Sequence, residues 1–377
     1  MDMFSHADTL AVLNENRPLS EKLEFVHNRI GDRYPFITRL AVAVYDPKTD
    51  LLKTFIHSSN GAEPLSHYNA KLSEARSLAM VVEQGRPRVV NDLRIFSDSG
   101  QTHSQRILSQ GYASSYTMPM YHKGNFFGFV FFNADQAHAF NDEVLHYLDL
   151  FGHLLSLTVM QELNHYRTLQ AAIKTARDIT HQRDNETGSH LDRMSRYSRI
   201  IAEQLAPQYG FTDEYIEQIF MFSPLHDLGK IAIPDHILLK NGKLTPEEFE
   251  IMKTHTHKGR KMIEDMLEHF GVDQMHNSQL LCHIAHYHHE ALDGSGYPEG
   301  LKGEEIPIEA RIISVADIFD ALTSKRPYKP AWSNDEAFAT LQEMAGTILD
   351  PQCVNALIDN THRIVEIQQQ FAEDHYG

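Results

Sequence analysis

From His153 to Thr187 the chain contains neither glycine nor proline. A run that long without a helix breaker predicts one continuous helix, tens of ångströms in length at about 1.5 Å per residue. A rod of that kind does not fit inside one compact core, so it divides the 377 residues into two parts, each long enough to bury a core of its own. The division expected is an N-terminal segment over 1–17, a first domain over 18–152, a connecting helix over 153–182 and a second domain over 183–377. Along the rod Leu155, Val159, Tyr166, Leu169, Ile173 and Ala176 repeat at heptad-like spacing, interrupted by Glu162. That stripe suits a coiled-coil seam between two copies, and it suits equally a face packed on the chain's own second domain.

Before the rod the pattern is mixed. Leu19, Leu23, Val26 and Ile30 recur at helical spacing and Gly31 follows as a stop. Leu40, Val42 and Val44 alternate as in a strand, a turn falls at Asp46-Pro-Lys-Thr49, and a partner strand runs from Leu51 to Ile56. A second helix is expected to carry Leu72, Ala75, Leu78 and Val82 and to halt at Gly85, with a short strand at Arg88-Val-Val-Asn91. Tyr112–Tyr121 and Phe126–Asn133 read as a hairpin across His122-Lys-Gly-Asn125. An α+β domain with an antiparallel sheet results. The order of Gly85-Arg-Pro-Arg-Val-Val-Asn-Asp92, Ser115-Tyr-Thr-Met-Pro-Met120, Gly128-Phe-Val-Phe-Phe-Asn133 and Phe140-Asn-Asp-Glu-Val144 resembles a GAF sensory domain. The resemblance implies a small ligand or a dimerisation role there. No cysteine precedes Cys282, which rules out a thiol-linked tetrapyrrole in this domain and leaves noncovalent haem open.

After the rod the polar residues take metal-ligand spacings. Glu186 and His190 are four apart, hence on one helix face. His226 and Asp227 are adjacent in Pro224-Leu-His-Asp-Leu-Gly-Lys230. On a helix neighbours diverge by about 100°, so the pair is poorly placed for one ion and well placed for a cluster that Asp227 bridges. Pro224 predicts a kink just before it. Thr245, Pro246 and Glu248 predict a capped helix start, on a helix carrying His255 and Gly259, with His257 as a competing ligand. A helix from Ser278 ends in His283-Ile-Ala-His-Tyr-His-His-Glu290, where His288 and His289 repeat the divergence of His226 and Asp227. The loop Asp293-Gly-Ser-Gly-Tyr-Pro298 follows, and Asp317 sits on an otherwise apolar helix where a buried charge needs a cation or donor.

These motifs in this order, with Asp317-Ile-Phe-Asp-Ala-Leu-Thr-Ser-Lys-Arg-Pro-Tyr-Lys329 after them, resemble the HD-GYP phosphodiesterases, a branch of the HD metal-dependent phosphohydrolases. Ala291-Leu292 depart from the family's usual bulky polar and aromatic pair, which bears on loop packing and not on a ligand. The resemblance implies an all-α domain that hydrolyses cyclic di-GMP to the linear dinucleotide, and in some members onward to GMP. Carried over by position, the metal ligands are Glu186, His190, His226, Asp227, His255, His288, His289 and Asp317. The implied cofactors are two or three divalent ions, iron foremost and manganese as the alternative; the glutamate at 186 favours a trinuclear centre. Asp227 and Lys230 are the implied catalytic residues, Lys230, Arg326 and Lys329 the substrate-phosphate contacts, and Asp293, Gly294, Gly296, Tyr297 and Pro298 the active-site loop.

Composition narrows the partners. Asp and Glu number 51 against 34 Lys and Arg, a formal charge of −17, which argues against duplex nucleic acid or an anionic membrane. Cys282 and Cys353 are the only cysteines, too few for a disulfide framework or a thiolate metal site, so any metal is held by nitrogen and oxygen. No apolar run reaches 18 residues and the N-terminus lacks a signal-peptide pattern, so a cytoplasmic protein is expected; the helix after residue 150 suggests a homodimer, and the resemblance implies a role in bacterial second-messenger signalling. Its alternatives are a phosphodiesterase for cyclic GMP-AMP or another nucleotide, and a catalytically silent cyclic di-GMP receptor.

Overall fold

The computed structural model describes residues 6–60, 69–96, 110–179, 188–269, 278–324 and 331–372. Glu186, Arg326 and Lys329 lie outside the described residues. The chain separates into two units, Met1–Asn164 with Thr212–Glu214, and His165–Phe211 with Tyr215–Gly377. Among the described residues no helix is long and apolar enough to cross a membrane.

The first unit is built on a six-stranded sheet. Strands β1 (Ile37–Asp46), β2 (Leu51–Ser59), β3 (Asn69–Lys71), β4 (Arg88–Val90), β5 (Ser114–His122) and β6 (Asn125–Ala134) lie in the order β3-β2-β1-β6-β5-β4, every neighbouring pair antiparallel. Register puts Val42 opposite Val130 and Leu40 opposite Phe132, while Ala43 faces Phe129 on the other side of the pleat. Helix α1 (Leu19–Gly31) buries Leu23, Val26 and Ile30 and packs on β1 and β2. Helix α2 (Arg76–Gln84) closes a second cluster through Leu78 and Val81 with Leu52, Leu72 and Phe129. The helix starts later than the periodicity predicts because Asn69–Lys71 pairs with Leu51–Lys53, and the Leu72 amide then donates to the Asp50 carbonyl at 2.9 Å. The β5–β6 hairpin turns at Lys123 and Gly124, both with positive φ, as a two-residue connection requires.

Helix α3 (Asp142–Ile179) is the predicted rod, beginning eleven residues before His153. Acidic Asp142 and Glu143 in its first turn suit the positive end of the helix dipole. Leu155 and Val159 of the stripe are buried; residues 180–187 are outside the described set.

The second unit is helical. Helix α4 (Gly188–Tyr209) runs through Pro207, a residue type that breaks most helix interiors. Proline in the last turn forfeits one hydrogen bond only, and Gly210 donates back to the Ala206 carbonyl at 2.8 Å to finish the helix. Helix α5 (Asp213–Phe222) passes into the 3-10 turn Ser223–Leu225 at Pro224, and a second 3-10 turn spans Leu228–Ala232. His226 and Asp227 therefore stand between two tight turns and not on an α-helix. After α6 (Asp235–Leu238), α7 (Pro246–Lys253) begins with the predicted capping box of Thr245 and Glu248 and stops at Thr254. His255 opens a separate helix, α8 (His255–His269), in place of lying on the capped one. Helix α9 (Ser278–Tyr287) ends just before His288, and α10 (Ile308–Thr323), α11 (Asn334–Met344), α12 (Pro351–Ile358) and α13 (Thr361–Gln370) complete the unit. Tyr197, Ile201, Ile284, Ile313, Phe319 and Leu357 are fully buried at its core.

Candidate metal centre

Four elements meet where the tight turns put His226 and Asp227. Ligand atoms of Asp227, His255, His288 and His289 lie within 4.8 Å of one another, and those of His190, His226 and Asp317 form a second such group. Asp227 joins the two. Its Oδ1 is 3.2 Å from His255 Nε2 and 3.6 Å from His288 Nε2, while its Oδ2 is 3.1 Å from His226 Nε2 and 2.7 Å from Lys230 Nζ. Asp317 Oδ1 is 3.9 Å from both His190 Nε2 and His226 Nε2. Seven of the eight positions expected as ligands are thus brought together.

The imidazoles are held from behind. His226 Nδ1 is 2.9 Å from the Ser223 carbonyl, His255 Nδ1 is 2.8 Å from that of Met252, and His288 Nδ1 is 3.0 Å from that of Ile284. Each carbonyl lies three or four residues upstream, so the local helical or 3-10 turn itself supplies the acceptor. His190 Nδ1 is 2.7 Å from Asp320 Oδ2. A carbonyl or carboxylate accepts only from N–H, so each of these rings carries a proton on Nδ1, and in the neutral ring the lone pair is on Nε2, which points inward. That is the tautomer a metal ligand needs.

Electrostatics agree with that assignment. Burial pushes His288 down to about 4, and burial with neighbouring His288 holds His289 well below the usual imidazole range. Burial alone would raise Asp227, but Lys230 and His226 draw it well below the carboxylate range. Imidazole nitrogens gathered around the ionised Asp227 are a nitrogen and oxygen donor set suited to cations. Asp227 Oδ1 is buried and accepts no well-formed hydrogen bond. The residues fit divalent cations of the Fe, Mn or Zn class.

Asp320 is the member that sequence reasoning missed. The buried carboxylate on α10 is Asp320, with no side-chain exposure, whereas Asp317 is 21% exposed. Arg193 clamps Asp320 with Nε to Oδ1 at 2.7 Å and Nη2 to Oδ2 at 2.9 Å, and Ser324 Oγ donates to Oδ2 at 2.9 Å. The signal was present as carboxylates three apart on α10 opposite His190 and Arg193, three apart on α4. Glu290 was passed over as well. It takes no place in either group; its carboxylate accepts from the backbone amides of Glu299, Gly300 and Leu301 at 2.7, 3.2 and 3.0 Å.

The 293–298 loop lies beside the first group. The Tyr297 ring is 4.8 Å from that of His289, and a side chain at Gly296 would sit 2.5 Å from the His289 carbonyl, so only glycine admits this approach. Asp293 Oδ1 accepts from the Ser295 amide at 2.8 Å, shaping the turn. Ala291 is buried beneath it, as its small size allows.

Comparison with known proteins gives this arrangement its class. Residues 180–353 match the HD domain family, and the second unit is an HD domain. The Asp293-Gly-Ser-Gly-Tyr-Pro298 segment after His288-His289 is the motif that carries the resemblance to the HD-GYP branch. The chain is 45% identical over 206 residues to the cyclic di-GMP phosphodiesterase response regulator RpfG of Xanthomonas campestris, covering 55% of this chain and 51% of that protein. It is 42% identical over 195 residues to a cyclic di-GMP phosphodiesterase of Thermotoga maritima, covering 51% and 49%. It is 39% identical over 186 residues to the 3'3'-cGAMP-specific phosphodiesterase 2 of Vibrio cholerae, covering 49% and 34%. The chain spans about half the length, or less, of these curated relatives. On the N-terminal side, the GAF domain from a Coxiella burnetii phosphoenolpyruvate-protein phosphotransferase covers 43% of this chain and 92% of its own at 15% identity and a TM-score of 0.34; the α+β fold of the first unit is read from its own strand order.

Proposed function

We propose that the protein is a metal-dependent phosphodiesterase that hydrolyses cyclic di-GMP to the linear dinucleotide, under the control of its GAF-like first domain. The observation that carries the reading is the inward Nε2 of four buried histidines around an Asp227 whose two oxygens serve two ligand groups. The ligands proposed are His190, His226, Asp227, His255, His288, His289 and Asp317, with Glu186 as the eighth and iron, or else manganese, as the metal in two or three positions. Divalent cations bound there supply Lewis acidity and activation of water at neutral pH.

The chain's own residues do the rest. Asp227 holds the two groups in register, and the carbonyls behind His226, His255 and His288 fix ring orientation, so that little reorganisation accompanies the reaction. Lys230 reaches the same carboxylate with its ammonium and is only partly buried, placed to neutralise charge on a phosphoryl oxygen; Arg326 and Lys329 are assigned the same role by position. Tyr297, pushed up by burial and held protonated, offers an aromatic face at the loop beside His289. A cytoplasmic homodimer, with a small ligand on the first domain, is the form in which we expect it to act.

The test is product chromatography on cyclic di-GMP with metal analysis, wild type beside Asp227→Ala. Turnover by the wild type with two or three metals per chain, abolished in the variant, is expected. A metal-loaded wild type without turnover would leave a receptor. The cGAMP-specific relative makes cyclic GMP-AMP the competing substrate, and a higher kcat/KM on it would reassign specificity without touching the metal chemistry.

A further inference from the structure

His257 and His286 adjoin the ligands His255 and His288 in sequence and belong to neither group of the centre. Residues two apart on a helix face roughly opposite sides, so while His255 looks into the centre from α8, His257 looks away from it. His286, on the last turn of α9, is likewise set apart from His288. Because α8 and α9 pack together, these two histidines meet. Their rings stack in parallel at 4.8 Å, and His286 Nε2 lies 3.3 Å from Glu299 Oε1. One ligand atom from each of the three falls within 4.8 Å of the others.

The burial of the three is unequal in a useful way. His286 is 1% exposed, whereas His257 and Glu299 are exposed. One donor is fixed by packing and two are free to close on an ion. Parallel rings do not hydrogen-bond each other, and two imidazolium ions would repel at this distance. His286 Nδ1 makes no hydrogen bond of full geometry, although the Thr256 carbonyl faces it. Directing Nδ1–H at a carbonyl while Nε2 takes a cation is the arrangement seen for the rings of the centre itself.

We propose that His257, His286 and Glu299 form a second, solvent-open cation site that takes zinc or an ion of that class. Two nitrogens and one carboxylate oxygen, with water in the fourth position, are a complete tetrahedral set. The site ties α8, α9 and the Glu299 side chain to one point, and so adds a tether to a segment whose backbone path Glu290 already holds. It stands independently of the phosphodiesterase reading.

The experiment uses the full-length protein carrying the metals with which it is purified. Zinc chloride is added in excess, unbound metal is removed by desalting, and zinc, iron and manganese per chain are counted by elemental analysis. The wild type is expected to retain one zinc per chain more than His257→Ala or Glu299→Gln, with the other metals equal in all three. Both substitutions are at exposed positions, and their melting curves in zinc-free buffer should coincide with wild type; added zinc should raise the wild-type midpoint more than theirs. Equal zinc retention in wild type and both variants overturns the proposal. Loss of the purified metals together with the zinc overturns it too, because His257 would then belong to the first centre.

Discussion

Gly229→Ala tests the centre at its tightest point. A Cβ on Gly229 would lie 1.8 Å from the His255 carbonyl oxygen and 2.5 Å from the Gly259 amide nitrogen, both backbone atoms. Ordinary contact begins near 3.4 Å, so the start of α8 must retreat by about 1.6 Å, whereas a metal–ligand bond tolerates only about 0.2 Å. His255 then leaves the first group, while His190, His226 and Asp317 keep their places. Overpacking of this kind costs about 1–3 kcal/mol. In an unconstrained helix the same change would stabilise by up to about 1 kcal/mol, so even the sign of the effect discriminates. The assay is metal content per chain beside thermal melting by circular dichroism. Helical signal should persist, the midpoint should fall, and about one metal per chain should be lost. A variant with the full metal complement and a wild-type or higher midpoint would refute the close approach and with it the rigid placement of His255.

Asp320→Asn keeps the shape of the carboxylate but weakens its hold on His190; metal affinity measured by chelator competition should drop about 10–100-fold, and an unchanged affinity would remove Asp320 from the centre. Lys230→Met should lower kcat by about 10²–10³-fold with metal content intact, as loss of one charge-stabilising donor does; a change confined to KM would make Lys230 a binding group only. His27 is held neutral by burial, its pKa below the ordinary value, with Nδ1 on Ser58 and Nε2 on the Ile37 carbonyl. The unfolded chain binds the extra proton below about pH 6.5, so the stability this burial allows is present above that value and is lost as pH falls through it. Amides of α1 should exchange faster at pH 5.5 than intrinsic rates predict, and His27→Gln should flatten that dependence; an identical pH slope in the variant would place the titrating group elsewhere.

The hairpins were readable because alternating Leu40, Val42 and Val44 and the His122–Asn125 turn are local signals, and β3 was not, because three residues have no period and Asn69–Lys71 becomes a strand only by pairing with β2. Around the centre, ligand identity was legible from spacing and resemblance while backbone form was not. His226 and Asp227 read as helical neighbours, yet Pro224 tightens the chain to 3-10 geometry on one side and close packing at Gly229 on the other. His255 read as part of the capped helix because the break at Thr254 has no Gly or Pro to announce it. Asp317, read as the charge on α10 that needs a cation, does join the second ligand group, but the fully buried carboxylate is Asp320 one turn on, which only three-dimensional pairing with Arg193 tells apart. His257 was an unresolved rival to His255 in the sequence; two residues along a helix separate them onto different faces.

Glu290 completes the His288-His289-Glu290 triplet without joining the ligands, and its carboxylate gathers three successive amides from Glu299 to Leu301. Charge-assisted bonds of this kind are about twice as strong as neutral ones, and three converging on one side chain settle the path of the segment after Pro298 when the chain folds. The cost of ordering that wall is therefore met during folding and is absent from the free energy of binding. On the function proposed above, a cyclic dinucleotide arriving beside Tyr297 would meet a surface already in place, and selectivity would be a matter of shape fixed in advance more than of closure around the ligand.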